Sequence, residues 1–251
     1  MEEAYLELIA EFHRGNHRQG PGSDEMTTQA LEALDVDNRA DMHVLDIGCG
    51  TGAQTLVLAQ LLKGRITAVD MIPQFLDELR ERCRTENVLN KVTVMQASME
   101  SLNFPSESID LIWSEGAVYN IGLIKGFSLW RNFLKPGAPI AVSDLSWLTD
   151  ERPKEVHDYW MKQYPYIDTI ADNIKRIEAH GYSVAGHFIL PKTCWLDNYF
   201  TPALEGSAVF LDKHRHDDRA REIVAGMKEE MSFYEKYRSC FGYVFYLARR
   251  T

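Results

Sequence analysis

Short apolar runs alternate with amphipathic stretches through the middle of the chain. Residues 43–47, 65–69, 92–96, 109–113 and 140–145 are each five or six long and rich in branched side chains. Runs of that length and composition read as strands buried on both faces. Residues 54–62, 73–87 and 125–134 carry apolar positions at helical spacing. Pro73 opens the second of these, because the first helical turn does not need its missing N–H. Lys135-Pro136-Gly137 ends the third. Strands and helices alternating at this pitch predict βαβ units and a mostly parallel sheet.

The flanks have a different pattern. Ala4, Leu6, Leu8, Ile9 and Phe12 place a helix within residues 1–14, residues 15–22 are a glycine-rich loop, and Ser23 or Asp24 caps a helix running to about Leu34. Beyond the fifth strand, residues 151–164 and 169–180 predict helices and 182–190 a strand. Residues 198–237 are charged and mainly helical, and 242–248 form a final strand. The expectation is one domain over 1–251: N-terminal helices (1–38), a core (40–145), lid or substrate insertions with a sixth strand (146–241), and the last strand (242–251).

Charge narrows the partners. Lys and Arg total 27 against 37 Asp and Glu, a formal charge of -10, which repels phosphate backbones and argues against a nucleic-acid substrate. The start Met1-Glu2-Glu3-Ala4 has no basic region or apolar core of a signal peptide. No apolar run approaches the roughly 18–20 residues of a membrane span. Cys49, Cys83, Cys194 and Cys240 make no CxxC pair and read as buried small hydrophobes, as suits a reducing cytoplasm. His214, His216, Asp217 and Asp218 have metal-like composition but read as a solvated run, so no metal is expected.

The chemistry centres on Val44-Leu45-Asp46-Ile47-Gly48-Cys49-Gly50-Thr51-Gly52. A buried strand runs into three glycines and then a helix, which lets a ligand approach the backbone beside unpaired helix N–H groups. The glycine spacing differs from the G-x-G-x-x-G of nucleotide-dependent dehydrogenases. Asp46 would sit badly beside a pyrophosphate but suits a ligand carrying an amino group and a sulfonium. Asp70 ends the next strand, placed to accept from ribose hydroxyls.

Asp46-Ile47-Gly48-Cys49-Gly50-Thr51-Gly52 closely resembles the first motif of class I S-adenosylmethionine (SAM)-dependent methyltransferases. The similar branch is the small-molecule group that includes the ubiquinone and menaquinone C-methyltransferases. The resemblance continues at Val69-Asp70-Met71, at residues 97–104 and 109–114, and at Leu134-Lys135-Pro136-Gly137. It implies a Rossmann-like α/β fold with a seven-stranded, mostly parallel sheet, helices on both faces, the last strand antiparallel and extra helices as a lid. It also implies that Asp46, Gly48, Cys49, Gly50, Gly52 and Gln54 surround the methionine part of SAM. Asp70 would take the ribose, Met71 the adenine face, and Ser98 and Met99 the adenine edge, with Ser114 and Glu115 near the amino group. S-adenosylhomocysteine would be the product.

The loop after the fourth strand, Ser114-Glu115-Gly116-Ala117-Val118-Tyr119-Asn120, should face the transferable methyl. Glu115 and Tyr119 are the candidate catalytic groups. It lacks the prolines of amino-methylating DNA enzymes and the second acid of protein arginine methyltransferases. Trp147 and the aromatics Tyr159, Trp160, Tyr164, Tyr166, Trp195, Tyr199 and Phe200 supply either a lid or core packing. Arg18, with His13, Arg14 and His17, reads as a solvated loop. The expected activity is methyl transfer to a small molecule, with a homodimer left open. The rival readings are a catalytically silent SAM sensor or scaffold and a nucleotide-dependent oxidoreductase.

Overall fold

Main-chain hydrogen bonds gather the apolar runs into one sheet in a computed structural model that describes residues 3–251; the Met1-Glu2 start used in the signal-peptide argument lies outside them. In chain order the elements begin with α1 (Glu3–Phe12), α2 (Asp24–Leu34), β1 (His43–Ile47), α3 (Ala53–Leu61), β2 (Arg65–Asp70), α4 (Pro73–Thr85) and β3 (Val92–Gln96). There follow β4 (Leu111–Ser114), α5 (Leu123–Trp130), β5 (Pro139–Trp147), α6 (Lys154–Gln163), β6 (Asp168–Thr169), α7 (Ile170–Ala179) and β7 (Tyr182–Ile189). The chain ends through α8 (Lys192–Trp195), a π turn (Leu196–Phe200), α9 (Thr201–Glu205), α10 (Ser207–Lys213), α11 (Asp218–Tyr237) and β8 (Phe241–Arg250).

The strand order is β3-β2-β1-β4-β5-β8-β7. β1 to β5 run parallel, and β8 inserts antiparallel between β5 and β7. The mostly parallel sheet with an antiparallel last strand is therefore present. One element is additional: the two-residue β6 pairs Ser146 and Trp147 of β5, giving eight strands where seven were expected. Two residues cannot display a period, so only the partner strand reveals it.

Every residue of β5 is buried, as are the first eight of β8, which explains their continuous apolar reading. Side chains from the two faces build two cores, one around Trp113, Phe245 and α11, the other around Phe127, Trp130 and Tyr246. Local capping sets the helix starts: Ser23 accepts from Met26 N at the head of α2, Thr169 from Asp172 N at α7, and Asp217 from Arg219 N at α11. Asp217 is thus a cap, and its neighbour His214 approaches Glu11 at 3.2 Å.

The crossover reverses between β1 and β4. That reversal parts the loops beyond the strands' carboxyl ends, the usual ligand crevice of open α/β sheets. Among the described residues, no helix is long and apolar enough to cross a membrane.

Candidate active site

The loop after β1 turns back on itself because Gly48 N and Cys49 N both donate to Val69 O, at 2.8 and 2.9 Å. Gly48 adopts φ +75°, and a Cβ built there would lie 2.2 Å from the Cβ of Ala117 in the loop after β4. Only glycine lets these two loops meet. Gly52 caps α3, with its N–H on Cys49 O.

Asp70 closes the other side. Its Oδ2 accepts from Gly50 N and its Oδ1 from Ile72 N, each at 2.9 Å. Each oxygen keeps lone-pair capacity beyond that one bond. Burial raises the Asp70 pKa above the ordinary carboxylate range, and the N–H donors of Ile72 and Gly50 oppose the rise.

A cavity of about 890 Å³ opens between these loops, and Gly48, Cys49, Gly50, Gln54, Asp70, Met71, Ser98, Met99, Glu115 and Tyr119 all line it. Ser98 Oγ accepts from Glu100 N, and Trp130 Nε1 fixes Met99 O at 2.9 Å. Three residues expected at the cofactor lie behind the wall. Asp46 is fully buried beneath the loop, its carboxylate accepting from Thr55 Oγ1 at 2.5 Å and Gln54 Nε2 at 3.3 Å. Burial pushes its pKa up to about 7, against those two donors. Ser114 donates to Ile47 O at 2.8 Å, riveting β4 to β1. Gly52 serves the helix start.

Glu115 lines the wall with both oxygens engaged. Oε2 receives Arg18 Nη1 at 2.8 Å, and Oε1 receives Thr27 Oγ1 at 2.7 Å and Trp113 Nε1 at 2.8 Å. Arg18 also bonds Asp24 at 2.9 Å. The Arg18 and Glu115 side chains are 5% and 4% exposed. Arg18 therefore departs from the solvated loop expected of it: folding carries it onto a carboxylate 97 positions away. Gln19, which the sequence reading did not single out, reaches the glycine loop, its Oε1 accepting from Thr51 N at 2.9 Å.

α1, with the His13 that follows it, and α11 also line the cavity, through Tyr5, Ile9 and His13 and through Ile223, Met227 and Glu230. Of Trp147 and the seven aromatics named with it from the sequence, only Tyr199 is among the described residues lining the wall. Trp195 stacks on Tyr234 at 4.4 Å in the core. Trp147 is buried between His157, at 6.1 Å, and Arg152, at 4.1 Å, rather than over the site.

This arrangement matches known proteins. A family model for the methyltransferase domain matches residues 44–137. The ubiquinone/menaquinone biosynthesis C-methyltransferase UbiE of Shewanella frigidimarina is 29% identical over 137 residues, 53% of this chain and 54% of that one. The demethylmenaquinone methyltransferase of Tropheryma whipplei is 34% identical over 109 residues, 43% of each chain. A SAM-dependent methyltransferase structure from Geobacter sulfurreducens, in complex with S-adenosyl-L-homocysteine, superposes with a TM-score of 0.84 over 98% of each chain at 18% identity. Residues 44–137 carry a methyltransferase domain, and the chain has the fold of SAM-dependent methyltransferases. The aligned regions span about half or less of the curated relatives' length. The family match at 44–137 includes the glycine loop, whereas α11 and β8 lie outside it.

Proposed function

We propose that this protein transfers a methyl group from SAM to a small-molecule acceptor. The observation that carries the reading is the joint placement of the glycine loop and Asp70 on one cavity wall at the sheet's crossover. The residues fit the cofactor on their own chemistry. The missing Cβ of Gly48 brings two loops together around a space, and Asp70 retains acceptor capacity for two vicinal hydroxyls. Met71, Ser98 and Met99 would border the base, and Gly48 to Gly50 with Gln54 the amino-acid portion.

Bound there, SAM would supply a methyl already activated by its positive sulfur. The protein's own task is then alignment and exclusion of water, effects worth several kcal/mol through proximity alone. α1 and α11 contribute to that exclusion by lining the cavity that the glycine loop also lines. Its volume lies within the usual range for small-molecule sites, and the net charge of -10 disfavours a polyanionic acceptor. Tyr119, 44% exposed, lines the cavity where the acceptor belongs. Glu115, with both oxygens engaged, acts in this account as a positioning residue that anchors Arg18. A reducing cytoplasm suits the four free cysteines.

Incubating the protein with methyl-labelled SAM and a fractionated cell extract tests the reading. Label should enter the small-molecule fraction. Tight SAM binding with no label in any fraction would instead mark a sensor.

A further inference from the structure

α11 turns one face to the cavity, with Glu222, Ile223, Gly226, Met227 and Glu230 on it, the spacing of successive helical turns. Glu230 has neither an ion pair nor a hydrogen bond among the described residues. Its charge reaches Tyr119, Tyr159, Tyr199 and Tyr243 and opposes ionisation of all four. Just past α1, His13 lines the same cavity, 6% exposed and stacked on Tyr199 at 6.1 Å. The only Lys or Arg on the described wall is Arg18, which Glu115 and Asp24 already neutralise.

We propose that the acceptor is a small ammonium-bearing molecule, a primary or secondary amine, whose charge is held by Glu230 on a wall that also carries tyrosine rings. The inference rests on the methyltransferase reading and names that site's substrate class. Glu230 is half-buried on this wall, and an ammonium offsets the cost of desolvating a carboxylate that has no partner. The His13 imidazole is held neutral, since burial lowers its pKa to about 4, so it adds no competing positive charge to the wall. An ammonium offers N–H donors to Glu230, and aromatic faces attract a cation further. Asp70, Tyr119 and Glu230 line one continuous cavity.

An ammonium must lose a proton before its nitrogen can accept a methyl. Burial pushes the Glu230 pKa up to about 7, which fits it to take that proton. The N–H bond breaks, a carboxyl O–H forms, and the nitrogen keeps the electron pair. The methylated nitrogen then carries the positive charge that the sulfonium gives up.

The test uses the full chain saturated with S-adenosylhomocysteine, titrated with benzylammonium and with benzyl alcohol. Benzylammonium should bind at least tenfold more tightly, and Glu230→Gln should remove that preference while S-adenosylhomocysteine affinity stays within twofold. Equal binding of the two probes, binding of neither, or an unchanged preference in Glu230→Gln overturns the proposal. In parallel, methyl-labelled SAM is offered with a pool of primary and secondary amines and a pool of phenols and hydroquinones. Label in the amines supports the assignment, and label only in the phenols and hydroquinones, or in neither pool, refutes it. Failure to bind S-adenosylhomocysteine would count against the cofactor reading alone, because the benzylammonium titration can be run without it.

Discussion

Replacing Arg18 with Ala leaves Glu115 as a carboxylate that is 4% exposed, with only the neutral donors Thr27 and Trp113. Breaking one side of a buried pair costs about 3–5 kcal/mol, because the surviving charge stays buried without compensation. That is a large share of the roughly 5–15 kcal/mol that holds an ordinary domain folded. Glu115→Gln should be costly too, since the amide turns a donor toward the guanidinium or loses the acceptor serving Thr27 and Trp113. Combining Arg18→Ala with Glu115→Gln removes both charges, so the double variant should lose about 1–3 kcal/mol less than the single losses sum to. Urea denaturation followed by tryptophan fluorescence measures each term. The pair also ties the segment before α2 to the loop after β4, so hydrogen exchange at Asn16 and Gly22 should speed up in Arg18→Ala. Single losses below about 1 kcal/mol that simply add would refute the reasoning.

Two further outcomes follow from the same wall. Gly48→Ala should destabilise by about 1–3 kcal/mol through overpacking in addition to left-handed strain; Gly137→Ala, at the same φ of +75° but with nothing within 4 Å, measures the strain alone, so equal melting-point losses in the two variants would dismiss the clash with Ala117. Asp144 accepts from Tyr164 at 2.8 Å, has an unpartnered Oδ1, and is pushed by burial up to about 7. The folded form therefore holds its proton where the unfolded chain, at the ordinary 3.8, has released it. This group's contribution to stability accordingly falls as pH rises from about 4 to about 7, by up to about 1.4 kcal/mol per pH unit. His13, lowered to about 4, pulls the opposite way below its ordinary 6.5, so the comparison must be differential: Asp144→Asn should gain on the wild type steadily over that range in urea melts, and a pH-independent difference would contradict the assignment.

The parallel core was readable because a strand buried on both faces needs an unbroken apolar run, and each of the five runs between His43 and Trp147 became a strand within a few residues of its expected bounds. The glycine loop was readable for a steric reason, since close approach of backbone to backbone excludes any Cβ. Long-range pairing left no such local trace. Nothing around Arg18 distinguishes it from a solvated cation until folding brings Glu115 and Thr27 to it, and Gln19 likewise meets Thr51 only across 32 positions. The aromatics of the additions were ambiguous in the same way: stacking on Tyr234 took Trp195 into the core, whereas Tyr199 reached the cavity. Asp46 and Ser114 lie in motif positions yet spend their side chains beneath the loop, bracing the site from behind.

The central claim is that the cavity beside Asp70 holds SAM. Calorimetric titration of S-adenosylhomocysteine into the wild type and Asp70→Ala tests it most directly, with the fold of each checked by circular dichroism. Hydrogen bonds to a charged acceptor contribute roughly 1.5–3 kcal/mol, so the variant should bind about 10–100-fold more weakly than a micromolar wild type. Wild-type protein that is folded but gives no binding heat, or an Asp70→Ala variant that binds equally well, would contradict the account.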